Sequence, residues 1–205
     1  MDNCFMCGGA ADTSDHVPPK GLFPKPRPST LITVPACRVC NKATEQDDEY
    51  FRFLMSAAGN DTRAAAALRQ QRIIPQLQER PALGHAIMEK SKIVDVYSPG
   101  GIWLERRPAF EFEHTRFQRV IEKTVRGLYL HEFGERLIGA KIDDFVLNPE
   151  PSDELRTYFA RLSRRVVDAD VFSYWCDRDP ADLISSLWFL GFFKQTLFVV
   201  RTMGE

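Results

Sequence analysis

Long apolar runs are missing from this 205-residue sequence. The most apolar stretch, Leu187 to Val200, is broken by Lys194 and Gln195, whereas a membrane-spanning helix needs about 20 consecutive apolar residues. No membrane partner is therefore expected. The opening Met1-Asp2-Asn3-Cys4 has neither a basic nor an apolar segment, so no secretory signal is expected. A dominant charge is missing too. The 27 Lys and Arg against 28 Asp and Glu leave a formal net charge of −1, which excludes a broadly basic nucleic-acid coat but permits a local basic patch. There is no internal repeat and no low-complexity tract. With 44% hydrophobic and 27% charged residues, the composition is that of a globular protein. The length allows one domain, or one domain with a small appendage.

Cysteine is scarce, and its spacing is informative. Of five Cys, four form the pairs Cys4-Phe5-Met6-Cys7 and Cys37-Arg38-Val39-Cys40. A tight turn brings two sulfurs three residues apart onto one side, and two such turns close a tetrahedral four-thiolate site that suits structural Zn²⁺. A metal site in a reducing, cytoplasmic compartment fits this usage better than a disulfide framework. Cys176 stands alone and reads as a buried strand thiol.

Between the pairs lies Asp15-His16. Adjacent residues of an extended chain point to opposite faces, so one can bind a metal while the other stays free. A carboxylate oxygen suits Mg²⁺ or Mn²⁺, and a neutral imidazole suits proton abstraction from water. Asn41 directly follows Cys40, and its amide oxygen is a candidate second ligand for that cation or, alternatively, a cap for the following helix. Together these groups could hydrolyse a phosphodiester, with His16 as base and a cation on Asp15 and Asn41 stabilising the developing charge.

The set Cys4-x-x-Cys7, Asp15-His16, Cys37-x-x-Cys40-Asn41 resembles the HNH endonuclease family in its zinc-stapled four-Cys form. The stretches DHVPPKGLF (Asp15 to Phe23) and LITVPAC (Leu31 to Cys37) resemble an uncharacterised bacterial subgroup of it. The resemblance covers about the first quarter of the chain. It implies a ββα-metal fold with a hairpin carrying the Asp-His pair and a helix carrying Asn41. It also implies a structural zinc, and a separate catalytic cation such as Mg²⁺, Mn²⁺ or Ni²⁺. His16 would be the general base, and Asp15 and Asn41 ligands. The family's middle Asn, which orients the His, is replaced here by Thr30.

The expected fold class is α+β, with an HNH-like zinc module over residues 1–60 and a mixed helical and antiparallel-sheet body over 61–205. Helical periodicity starts at Lys42, runs through Tyr50, Phe51, Leu54 and Met55, and stops at Gly59-Asn60. Further helices are predicted from a cap at Asp61-Thr62 through Leu68, and from Pro75 to Lys92. A strand is predicted at Leu31 to Val34, and a hairpin over Ile93 to Tyr97 and Ile102 to Glu105 about Ser98-Pro99-Gly100-Gly101. An amphipathic helix follows, with the stripe Phe117, Val120, Ile121, Thr124 and Leu128 and with Gly134 just past its end. A strand at Ile142 to Val146, a Ser152-capped helix to about Arg164, and strands over 166–176, 187–193 and 196–201 complete the body.

Asp47, Asp48 and Glu49 read as first-turn acids complementing a helix dipole, with Asp48 a weaker candidate ligand. His85, His114 and His131 read as ordinary helix residues; His131-Glu132 lacks the second His of a zincin motif. Trp103, Trp175 and Trp188 read as core. Lys20, Lys25, Arg27, Arg38 and Lys42 cluster in the module and could grip phosphates. The expected activity is metal-dependent endonucleolytic hydrolysis of DNA, ahead of RNA, with a homodimer needed for a double-strand break. The competing expectation is a catalytically degenerate zinc module that binds nucleic acid or a protein partner. A third makes the body a small-molecule sensor.

Overall fold

The computed structural model describes residues 2–58, 62–79, 89, 91–98, 100–110, 113–146 and 152–204. The chain is mixed α+β with antiparallel sheets, and the four-Cys cluster lies in its N-terminal region. β1 (Thr13–His16) pairs antiparallel with β2 (Thr33–Ala36), with Asp15 opposite Val34 and His16 opposite Thr33. β2 starts two residues later than its alternation predicts, because its partner β1 ends at His16. The Pro-rich link between the strands contains one 3₁₀ turn, Lys20–Leu22, which buries Leu22 and Phe23.

Helix α1 (Arg38–Ala43) follows at once, and α2 (Glu45–Ala58) buries Phe51 and Met55. Helical structure thus begins before Lys42, and the expected end of α2 at Gly59-Asn60 lies outside the described residues. Thr62 caps α3 (Arg63–Leu68) by accepting from Ala65 N, and a π-helical turn (Arg69–Ile73) leads into α4 (Ile74–Glu79). The predicted helix from Pro75 to Lys92 does not hold as one element. Its start is α4, residues 80–88 and 90 are outside the described residues, and Ser91 and Lys92 pair with Phe110 and Ala109 in a sheet.

That sheet has two strands only, β3 (Ser91–Tyr97) and β4 (Trp103–Phe110), turned at Gly101 with φ +81°. β4 continues well beyond the predicted Glu105. Trp103 is 54% exposed and is not core. Its indole Nε1 donates to Asp95 instead.

The long helix α5 (His114–Phe133) ends at Gly134, whose φ of +69° lets its N–H close on Leu130 O. His114 opens this helix and His131 lies in its last turn. His85 is outside the described residues.

The C-terminal sheet runs β5-β9-β8-β7-β6, from β5 (Ala140–Val146), β6 (Arg165–Asp168), β7 (Phe172–Arg178), β8 (Ser186–Phe192) and β9 (Thr196–Gly204). The single run predicted over 166–176 is two strands, because the Asp168 carboxylate accepts from Asp170 N and Val171 N and turns the chain. Helix α6 (Asp153–Ala160), capped by Ser152, ends earlier than Arg164.

The apolar stripe of α5 packs on one sheet face. Phe117 meets Phe51 at 4.6 Å and Phe198 at 5.1 Å between ring centres, and Phe133 meets Trp188 at 6.0 Å. On the other face, Phe159 of α6 meets Trp175 at 4.4 Å. One apolar cluster runs from Cys4 and Val17 through Phe51 and Val120 to Trp188 and Val200, so residues of both 1–60 and 61–205 share it. Each fully buried large side chain in it contributes about 1.5–3 kcal/mol. Cys176 is buried in β7, as expected, and burial pushes its thiol up to about 11. Among the described residues no helix is long and apolar enough to cross a membrane.

Candidate metal centre and adjoining cleft

The Sγ atoms of Cys4, Cys7, Cys37 and Cys40 all lie within 4.8 Å of one another. Tetrahedral zinc with Zn–S bonds of about 2.3 Å has sulfur–sulfur edges of about 3.8 Å, and Cys7 and Cys37 are 3.8 Å apart. The cluster therefore fits one zinc-sized ion. Backbone geometry sets it up. Gly8, at φ +79°, lets Gly8 N reach Cys4 O and Gly9 N reach Cys7 Sγ at 3.4 Å. Cys40 N donates to Cys37 Sγ at 3.4 Å, which makes Cys37, not Asn41, the cap of α1. Burial opposes ionisation of Cys4, yet the amides of Cys7, Cys37 and Met6 bring it down to about 6. Burial and the neighbouring sulfurs of Cys37, Cys7 and Cys4 push Cys40 up.

Asn41 lies in the middle of α1 and points at β1. Its Nδ2 donates to Ser14 O at 3.1 Å and Thr13 Oγ1 at 3.3 Å. Because a carbonyl can only accept, this contact fixes the amide orientation and leaves the side-chain oxygen free of it. Hairpin and helix are thus joined through the predicted residue.

Asp15 and His16 diverge, as an extended chain requires. Asp15 is 8% exposed and turns toward α5. Its Oδ1 accepts from His16 N at 2.8 Å, and its Oδ2 lies 3.3 Å from Lys123 Nζ. That Oδ2 is buried without a hydrogen-bond partner, as is Asp48 Oδ1 beside it. Asp48 is held by Lys123 at 2.7 Å; burial outweighs this pull and pushes its carboxyl up to about 6.

His16 lines a cleft of about 1130 Å³, which Asp15 and the carboxylates Glu45, Asp48 and Glu49 line as well. Its imidazole has no hydrogen-bond partner among the described residues. Burial and then the charge of Lys20 lower its basicity below the ordinary 6.5.

Lys20, Arg27, Arg38 and Lys42 line the cleft with His16. Lys25 does not; its backbone is tied to Gln71 instead. Two further cations, Arg52 and Arg72, also line the cleft, and sequence reasoning missed both. They sit on helical elements after the motif, where only the fold brings them near it. Arg52 is half-buried, donates to Glu49 and Gln76, and is made less basic by burial.

Thr30 is not part of this group. Its Oγ1 donates to Val167 O at 2.8 Å, fastening the hairpin loop to β6. Asp47 and Asp48 do lie in the first turn of α2, but their partners are cations of α5 rather than the helix dipole alone. Asp47 accepts from Arg116 at 2.8 Å and Arg119 at 3.2 Å. No family model, no curated protein and no solved structure matches the chain.

Proposed function

We propose that the chain is a metal-dependent endonuclease of HNH type that hydrolyses DNA phosphodiesters. The observation carrying this reading is the placement of His16. It is an imidazole of lowered basicity in a cleft lined by both cations and carboxylates, next in sequence to a carboxylate ion-paired to α5, on a hairpin tied to a helix by Asn41. Asp15 and the Asn41 amide oxygen would hold the divalent cation as hard oxygen donors, with Asp15 Oδ2, buried without a hydrogen-bond partner 3.3 Å from Lys123 Nζ, giving up that ion pair to do so. When bound there, such a cation would supply charge neutralisation for the phosphate and the leaving oxygen.

His16 takes a proton from water at an unprotonated imidazole nitrogen while the water oxygen attacks phosphorus. The P–O ester bond breaks, and the leaving oxygen is protonated by solvent. Lys20, Arg27, Arg38 and Lys42 grip flanking phosphates as point and fork donors. The Cys4 cluster, holding structural zinc, fixes the first turn and the start of α1, and so the position of Asn41.

The test is cleavage of supercoiled plasmid and single-stranded DNA with Mg²⁺, Mn²⁺ or Ni²⁺ by wild type and His16→Ala. Metal-dependent cutting lost in the variant supports the reading. Equal cutting by both rejects His16 as the base.

A second reading is a binding module without catalysis. It draws on Thr30, whose hydroxyl serves Val167 rather than the imidazole. Binding that survives His16→Ala and fails on Arg27→Ala and Arg38→Ala, with no cutting by either protein, favours it.

A further inference from the structure

We propose that Lys123 and Gly127 of helix α5 are positioning residues for the Asp15-His16 pair, so that the working site includes an element far outside the N-terminal module. The inference rests on the reading of Asp15 and His16 as the working pair.

The first observation is Lys123 itself. It is 1% exposed, and its ammonium lies 2.7 Å from Asp48, 3.1 Å from Thr44 Oγ1 and 3.3 Å from Asp15 Oδ2. The ammonium donates to Asp48 and Thr44 and stands in ion-pair range of Asp15 Oδ2. Removing a charge from water is costly, and an apolar side chain of similar volume is commonly as stabilising as a buried ion pair. A charge kept here is therefore explained better by orientation than by stability. It clamps one oxygen of Asp15 while the other holds the amide of His16 at 2.8 Å.

The second observation lies one helical turn further on. A β-carbon at Gly127 would fall 2.5 Å from Val17 Cγ1, so glycine is what lets α5 reach the residue after His16. Val17 is fully buried there. Residues 15 and 17 are thus seated on one face of α5, by positions four apart that share that face. The residue between them, His16, is held toward the cleft. The two contacts act together on the backbone that carries the imidazole.

The test uses amide exchange by NMR on the full chain. His16 N bonds to Asp15 Oδ1, whereas Val17 N bonds to Ile32 O at 3.1 Å and does not use Asp15. In Lys123→Met the His16 amide is expected to shift and exchange at least about tenfold faster, while Val17 and the C-terminal sheet keep their protection. DNA cleavage should fall about 10- to 100-fold in kcat with KM nearly unchanged, the size seen when a group orienting a ligand is removed. Lys123→Ala should regain rate with added methylammonium.

Gly127→Ala should disturb the same two residues, and Val17→Ala in the same chain should relieve it. An unchanged His16 amide in folded Lys123→Met overturns the proposal. So does loss of protection throughout the chain, which would mark a purely structural role, or a double variant no better than Gly127→Ala alone. If Lys123→Met does not fold, the Gly127 and Val17 pair decides. If wild type cuts no DNA, the nuclease reading fails while the amide result still judges the positioning.

Discussion

The molecule has two small hairpins, and they are held in opposite ways. β1–β2 pairs only four residues per strand, yet it is fastened on every side. Four thiols stand at its base, Asn41 ties it to α1, Lys123 and Gly127 seat it on α5, and Thr30 anchors its loop to β6. β3–β4 has strands of seven and eight residues, but none of the described side chains along it is buried, and Ile93 at 65% and Trp103 at 54% are well exposed. Arg106 pairs with Asp95 across it at 3.0 Å. Exposed pairs of this kind contribute only about 0.2–1 kcal/mol each, and a lone two-stranded ribbon is marginal in water. Strand length does not make a hairpin rigid; attachment does, and the longer hairpin is the less anchored.

The largest blow to the contrast would be metal removal. Purified protein should contain about one zinc per chain, and chelation should unfold the first hairpin, since structural zinc contributes on the order of 10 kcal/mol to small zinc folds. Amide exchange should show β1–β2 losing protection while β3–β4 is unaffected. Next comes Asp47→Ala, which strips Arg116 and Arg119 of a buried partner. It should cost about 2 kcal/mol in urea unfolding, the size of hydrogen bonds to charged groups.

The pH profile of cleavage follows. Only neutral His16 accepts a proton, and its basicity is lowered by burial and then by Lys20. Activity should therefore persist below pH 6.5 and drop about tenfold per unit only on the acid side of the shifted value. A limb centred above 6.5 would refute the assignment.

Thr30→Val should cost about 1 kcal/mol, with faster exchange confined to the loop and β6. The smallest effect is expected at the second hairpin. Ile93→Thr or Trp103→Ser should change thermal stability by less than about 0.5 kcal/mol; a larger loss would mean that something packs on it.

The features legible in the sequence were the local ones. CxxC spacing, the caps Thr62 and Ser152, and Gly134 act within a turn of themselves, and all lie where sequence places them. The Asp15-His16 divergence followed from strand alternation alone. What escaped was set by partners distant in the chain. The stripe of α5 was read as one apolar face, but Arg116, Arg119, Lys123 and Gly127 form a second face that meets the module, buried at Lys123 and Gly127. A lysine and a glycine at a spacing of four carry no signal by themselves. Arg52 and Arg72 were invisible as cleft residues for the same reason. The split of the run over 166–176 was recoverable, because Asp168-Ala169-Asp170 is a turn signal inside apolar residues.

Thr30 and Val167 stand 137 residues apart in the chain, and Arg136 reaches back 130 residues to Met6 O behind the first Cys pair. During synthesis the cysteines emerge early and can take up their ion, whereas the lysine that steadies Asp15 arrives after more than half of the chain. A ribosome-bound or truncated fragment should thus carry the whole motif without the helix that seats it. On the proposed nuclease reading, competence waits on completion of the chain.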